Sequence, residues 1–327
     1  MKMGLSLFGF ETSVKDMVEL ARLAEDAGFA QIYTIEAVRE SLVPLVAIAT
    51  ATKRIHLGPG IMNIFLRSPL LTAQSIAQLD EVSEGRALLG LGVSVTGLVE
   101  PHGVHYGKPL TRMREYIQLV RGLLRGEAVS SQGQIYNAQG VQLQFQPYRS
   151  AIPIYLAAVG PKMHQLAGEV ADGVLTDLAL DPAYVQSAME QVQEGCQRAG
   201  RERASVDCGC YLFCAVASSE QQAIEAMQPA LAFSVAIQPN FAPILKRLGF
   251  TEAAAKVQAA FRAGGMMAAA PYVTVDMVKS LTVTGTPTQC RARVEEYVKA
   301  GVQTPILVPV GKNQKEGIKA AIKAFTS

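Results

Sequence analysis

An α/β fold, a parallel sheet coated by helices, follows from three features of the 327-residue chain. Short apolar runs alternate with longer stretches of helical spacing, the runs number eight, and no Pro-, Ser- or Gly-rich linker divides the chain. Hydrophobic residues make up 49% against 18% charged, which supplies one large core and excludes intrinsic disorder. Eight parallel strands, each followed by a helix, close on themselves. The expected fold is therefore an eight-stranded (β/α)8 TIM barrel, one domain over 1–327.

The runs in order are 3–8, 31–35, 55–61, 87–91, 152–157, 173–176, 206–216 and 305–310. Helical spacing fills 14–27, 69–82, 110–124, 162–171 and 182–199. Thr12 or Ser13 can cap the first helix, and Gly28 stands just past its end, where a left-handed residue is needed. Gly85, Gly200 and Gly301 read as similar stops. Two stretches break the alternation. After the fourth strand, 125–151 has turn residues and alternating apolar positions that suit a small hairpin; after the seventh, 232–271 reads as extra short helices. Both are long enough to be insertions near a site.

Lys plus Arg is 30 and Asp plus Glu is 28, a net charge of +2, with no basic run and few aromatics, so no nucleic-acid partner is expected. No apolar stretch reaches about 18 residues and the start of the chain reads as a strand, not a signal peptide; no membrane partner and a cytoplasmic location are expected. Cys208, Cys210 and Cys214 lie at even spacing on an apolar run and would share one strand face. Their C-x-C-x3-C spacing is not that of a zinc knuckle, so core filling is expected and no metal.

In a barrel of this kind the carboxyl ends of the strands line the site. Glu36 follows the second run, where it could serve as general acid or base, hydrogen-bond a ring amide, or pair with a neighbour such as Arg39. Gly58-Pro59-Gly60 ends the third run, ahead of Asn63 and Arg67; two glycines around a proline imply unusual backbone or a plain tight turn. After the fourth run, Gly90-Leu91-Gly92-Val93-Ser94-Val95 lacks the last glycine of a dinucleotide fingerprint, and no helix starts directly behind it. Its small residues still suit close approach of a flat ring. Gly160-Pro161-Lys162 after the fifth run is either an ordinary helix start or a phosphate receptor with Lys162 adding charge. His102 and His105 lack the partners of a metal site. Hydrolase elbows and phosphate-binding Walker loops are missing from the sequence.

Four ordered blocks, 54–69 (RIHLGPGIMNIFLRSP), 79–92 (LDEVSEGRALLGLG), 103–116 (GVHYGKPLTRMREY) and 152–174 (IPIYLAAVGPKMHQLAGEVADGV), resemble the bacterial luciferase-like superfamily. Within it they resemble the coenzyme F420 (deazaflavin)-dependent reductases that include methylenetetrahydromethanopterin reductase. The resemblance covers nearly the whole chain and implies a barrel with insertions. It also implies a non-prolyl cis peptide at Gly60–Ile61 backing the ring, Asn63 beside the ring, Val93 and Ser94 along the cofactor, and Val159, Gly160, Lys162 and Met163 around its phosphate. Glu36 matches an acidic position touching the ring. Three positions depart from the family pattern: Ala37 stands where a histidine often follows the acid, Ser6 where a relative has glutamate, and Val95 where an acid follows the glycines. The implied activity is hydride transfer between a deazaflavin and a small organic substrate, a methylene-tetrahydropterin or tetrahydrofolate among them, by a homodimer. An FMN-dependent monooxygenase and a cofactor-binding protein without turnover are the alternatives.

Overall fold

The apolar runs become strands and the segments of helical spacing become helices in the computed structural model, which describes residues 2–7, 12–36, 39–238, 241–311 and 313–326. The strands are β1 (Gly4–Ser6), β2 (Gln31–Thr34), β3 (His56–Pro59), β4 (Met62–Asn63), β5 (Leu89–Gly92), β6 (Val129–Gln132), β7 (Asn137–Val141), β8 (Ile154–Ala158), β9 (Gly173–Thr176), β10 (Asp207–Val216), β11 (Val283–Gly285) and β12 (Thr304–Pro309). The main sheet runs β3-β2-β1-β12-β10-β9-β8-β5-β4, with β11 beside the end of β10. Its pairs are parallel. The Leu57 amide donates to Arg86 O at 3.1 Å and the Leu88 amide to Leu57 O at 2.9 Å, so the two ends of the sheet approach each other. This is an α/β fold around a mostly parallel, nearly closed, barrel-like sheet.

Local chemistry sets the helix ends. Ser13 caps Val14–Asp26 in a reciprocal box with Asp16, and Gly28 follows at φ +84°, as the sequence indicates. Ser68 caps Pro69–Val82, with proline in the first turn where its missing N–H costs nothing. The expected hairpin forms from β6 and β7. The second excursion holds the expected short helix at Ala242–Arg247, but the helix Glu220–Ile237 begins before 232, and Thr251–Ala269 is a long helix kinked at Gly264 and Gly265. Alanine-rich spacing with few turn residues carries these helices further than a chain of short pieces. The short strand β11 falls in no apolar run of the sequence.

The barrel interior holds tyrosines. Tyr33 of β2 and Tyr211 of β10 belong to strands that are not neighbours, yet their rings meet edge to face at 6.0 Å, which they can do only across the interior. Tyr33 donates to Gln31 Oε1 at 3.0 Å, while Tyr155 and Thr304 donate to Asp207 Oδ2 at 2.8 and 3.2 Å. Successive strand residues face opposite sides. Cys208, Cys210 and Cys214 therefore face away from Tyr211 and fill the layer beneath the helices, buried with Cys196 and Cys290. Burial pushes the Cys210 thiol up to about 12.

Below the strands, the buried Arg86 guanidinium ties two helix ends together. It donates to Ala49 O, Thr52 O and Ile55 O at 2.9, 3.2 and 2.9 Å, to Thr52 Oγ1 at 3.1 Å and to Ser83 O at 2.7 Å. A cation at the carboxyl ends of Leu42–Ala51 and Pro69–Val82 also complements their dipoles.

Candidate active site

The third apolar run is not one unbroken strand. β3 pairs with β2 as far as Pro59, β4 resumes at Met62 against β5, and the Gly60–Ile61 peptide between them is cis. Tyr211 reaches across the barrel and donates to Gly60 O at 3.1 Å. A Cβ on Gly60 would stand 1.8 Å from that hydroxyl oxygen, so only glycine fits. On β5, a Cβ at Gly90 would stand 2.3 Å from Pro59 O, and one at Gly92 would stand 2.6 Å from Ile61 Cδ1. These glycines leave room for the adjoining strand. The expectation that they make space for a flat ring is corrected here, because Pro59 and Ile61 fill that space.

Glu36 lies just past β2, and its amide donates to Ile61 O at 3.4 Å. Its carboxylate accepts from Arg67 Nε at 3.3 and 3.2 Å and from Ser41 Oγ at 3.2 Å. Arg67 Nη2 reaches on to Glu40 Oε1 at 2.5 Å. The ion pair of Glu36 is thus with Arg67, where the sequence suggested Arg39; Arg39 forms a backbone bridge with Glu36 and donates to Thr12 O at 2.8 Å. Ala37 lies outside the described residues.

The adjoining wall carries Asn63, Val93 and Ser94. Asn63 is buried, its Oδ1 accepting from the Phe65 amide at 2.9 Å. The Phe65 ring stacks on Tyr106 at 4.7 Å, and Tyr106 donates to Ser94 O at 3.3 Å. Ser94 sits at φ +57°. Behind Val95 a four-residue helix, Thr96–Val99, does begin, contrary to expectation. Arg112 lies over the Phe65 ring at 4.5 Å and donates to Tyr136 Oη, which brings the hairpin tip to the rim. Glu115 anchors that tip, accepting the amides of Gln134, Ile135 and Tyr136 at 2.8, 3.0 and 3.0 Å. Burial would raise its carboxyl, but those amides outweigh it and hold it below the usual range.

Val159 and Gly160 follow β8. Gly160 is extended and caps the helix Pro161–Val170; its carbonyl accepts the Met163 and His164 amides, each at 3.1 Å. Gly160, Pro161 and Lys162 are exposed and Met163 is half-buried. Tyr184 donates to Val159 O and steadies the turn. His164 is buried, its Nε2 without a hydrogen-bond partner among the described residues. Desolvation lowers its pKa to about 4, so the ring is neutral.

The order of strands around the sheet brings these positions together. Glu36 follows β2, Gly60, Ile61 and Asn63 span the β3–β4 break, Val93 and Ser94 follow β5, and Val159, Gly160, Lys162 and Met163 follow β8. All ten lie along one arc at the carboxyl ends of adjoining strands. Asp177, directly past β9 at the end of that arc, escaped the sequence reading, although the strand-end rule that selects Glu36 also selects it. It is half-buried, and its Oδ1 accepts the Leu178 amide at 2.8 Å. Burial pushes its carboxyl up to about 6. His102 and His105 are exposed. Among the described residues there is no cluster of three metal-ligating side chains. No helix among them is long and apolar enough to cross a membrane.

Residues 1–304 match the model of the luciferase-like monooxygenase family. The chain is 36% identical over 306 residues to 5,10-methylenetetrahydromethanopterin reductase of Archaeoglobus fulgidus, covering 91% of each. It is 35% identical to the enzyme of that name from Methanolobus tindarius, over 95% of this chain and 97% of that one. The solved coenzyme F420-dependent tetrahydromethanopterin reductase of Methanopyrus kandleri superposes with a TM-score of 0.90 at 29% identity, over 99% of this chain and 97% of that one. Matches of this extent, over a barrel-like sheet whose strand ends gather the expected positions, show that the chain belongs to the luciferase-like monooxygenase family.

Proposed function

We propose that this protein is an oxidoreductase that transfers a hydride between coenzyme F420 and a small organic substrate, a methylene-tetrahydropterin or tetrahydrofolate. The observation that carries this reading is the similarity over more than nine-tenths of the chain to reductases of that name. The residues fit a deazaflavin. A Cβ on Gly160 would meet nothing within 4 Å, so the turn is open to a phosphate, and the helix behind it presents its positive end beside the exposed Lys162. Val159, Gly160, Lys162 and Met163 would hold that end of the cofactor. Gly60, Ile61, Asn63, Val93 and Ser94 would bear the ring, with half-buried Ile61 as its apolar support. The bound deazaflavin would supply the hydride. Glu36 would accept a hydrogen bond at the ring edge, since Arg67 and Ser41 already orient its carboxylate.

Counting β3 and β4 as one stave and β11 as a flank of β10 gives an eight-stranded (β/α)8 TIM barrel, a single domain over 1–327 from which the hairpin and the helices after β10 are excursions. A homodimer is supported by the helix Leu42–Ala51, which is apolar all round and exposes Val43 and Val46 beside exposed Leu71. Five buried thiols suit a cytoplasmic protein.

Titration of the purified protein with F420, FMN and NADP, followed by assay of methylene-tetrahydropterin and methylene-tetrahydrofolate, tests the reading. F420 binds tightest and the methylene substrate is reduced without oxygen uptake. Tighter FMN binding with substrate-dependent oxygen consumption would establish a monooxygenase instead. F420 binding with no turnover of either substrate would leave only a binding protein.

A further inference from the structure

The next carboxylate around the mouth lies outside the arc assigned to the cofactor. β9 and β10 are parallel, with Leu175 opposite Gly209 and Thr176 opposite Cys210. Carried one residue past the end of β9, that register would set Asp177 beside Tyr211, and the two groups interact electrostatically. Partners in register project to the same side of a sheet. Tyr211 points into the barrel, where its hydroxyl meets Gly60 O at 3.1 Å, so an Asp177 on the same side as Tyr211 faces the interior at the carboxyl end of the sheet. The helix Pro182–Arg198 contributes Tyr184 to the same neighbourhood, and its hydroxyl holds Val159 O at the phosphate turn. Asp177 therefore follows the strand next to the one that carries the turn assigned to the phosphate.

We propose that Asp177 is the proton donor of the mouth, giving a proton from its carboxyl oxygen to a substrate nitrogen while the neighbouring substrate carbon takes the hydride. This rests on the reading given under Proposed function. For a methylene carbon bridging two nitrogens, a C–H bond forms with the hydride, one C–N bond breaks with its electron pair going to nitrogen, and the Asp177 proton completes the N–H. The carbon is reduced by two electrons and the deazaflavin is oxidised by two. Asp177 would recover its proton through solvent at the mouth, from the one proton that a bound reduced deazaflavin would supply along with its hydride.

The surroundings suit a carboxyl that keeps its proton. The titratable groups on the side of Asp177 are Tyr211 on β10 and Tyr184 on the following helix, while Cys210 lies close by on the opposite face of β10. Arg247, which approaches Tyr184, is paired with Asp181. Among the described residues no cation pairs with Asp177, and burial dominates its titration. Glu36 is different: it is clasped by Arg67, which suits accepting a hydrogen bond more than giving a proton.

The test compares the wild-type chain with Asp177→Asn and Asp177→Glu. An infrared difference spectrum between wild type and Asp177→Asn reads the carboxylic-acid C=O stretch without any cofactor. A band that disappears with a midpoint near pH 6 is expected. F420 affinity should stay within about twofold in Asp177→Asn, turnover should fall about 10²-fold or more, and the pH limb near the carboxyl's midpoint should vanish. Asp177→Glu should recover part of the turnover with a displaced limb. A missing band overturns the proposal, and so does wild-type turnover in Asp177→Asn. If Asp177→Asn fails to fold by circular dichroism, the spectrum is taken between wild type and Asp177→Glu, and an unmoved pH limb in Asp177→Glu overturns the assignment. Wild type that binds no F420 overturns the hydride-transfer reading and this role with it, even if the band titrates. Wild type that reduces substrate with F420 beside an equally active Asp177→Asn removes the Asp177 role alone.

Discussion

Replacing Arg86 by Met keeps most of the buried stem and removes the cation that joins two helix ends. Five hydrogen bonds to Ala49 O, Thr52 O, Thr52 Oγ1, Ile55 O and Ser83 O go with it. Arg86 is only 9% exposed, so water replaces few of them. A buried acceptor left unsatisfied costs about 1–3 kcal/mol, and the second lone pairs of the carbonyls and slight water entry place this case at the low end. About 4–5 kcal/mol is then lost, a large part of the roughly 5–15 kcal/mol that holds a domain together. At roughly 2 °C per kcal/mol for a chain of this size, melting should fall by about 8–10 °C. Arg86→Lys, with three donors on one point charge, should recover about half. Thermal and urea unfolding followed by circular dichroism measure both. F420 affinity should be unchanged, because Arg86 lies at the opposite end of the strands from the mouth. A melting point within about 2 °C of wild type would mean that these bonds are no better than those the unfolded chain makes with water, and the anchoring argument would fail.

Glu36→Gln, which removes the charged acceptor at the ring edge, should weaken F420 about tenfold or more, measured by fluorescence titration; unchanged affinity would make Glu36 a structural contact only. Lys162→Ala should weaken F420 more than its phosphate-free fragment; equal weakening of both would take the phosphate away from the Gly160 turn. His164, lowered to about 4 from 6.5, favours the folded state less as pH falls from 6.5 to 4, because the unfolded chain binds the proton first. Asp177, raised to about 6 from 3.8, acts oppositely: its contribution is full below 3.8 and is lost as pH rises to 6. The two slopes offset each other in wild type, so urea unfolding of His164→Asn should show stability falling with pH across that window, and Asp177→Asn stability rising; parallel curves for both variants would refute the assignment.

Strand order and helix caps were readable because they rest on local chemistry: Ser13 and Gly28 act on their own helix, and the alternation of apolar runs needs no partner to be seen. The arc from Glu36 to Met163 was readable once the strand ends were known, since parallel order alone brings them together. What was not readable depends on distant groups. Arg67 is far from Glu36 in sequence, and nothing near either residue states that they pair. Gly90 and Gly92 announced a close approach without saying of what, and the answer is the carbonyl of Pro59 and the side chain of Ile61. Asp177 was passed over because its run ended one residue earlier, and Tyr211 looked like one more apolar position in a buried strand.

The hydroxyl of Tyr211 makes the floor of the mouth a fixed stop. It braces the Gly60 carbonyl from the far side of the barrel, and no side chain larger than hydrogen can stand between them. The position of that peptide is thus set from inside the barrel, by a contact between side chain and backbone. The Glu115-anchored hairpin and the stacked Phe65 and Tyr106 stand above it at the rim, so substitutions there leave the brace untouched. A change at Tyr211 would act in the other direction, moving the reference plane from which every rim contact is measured.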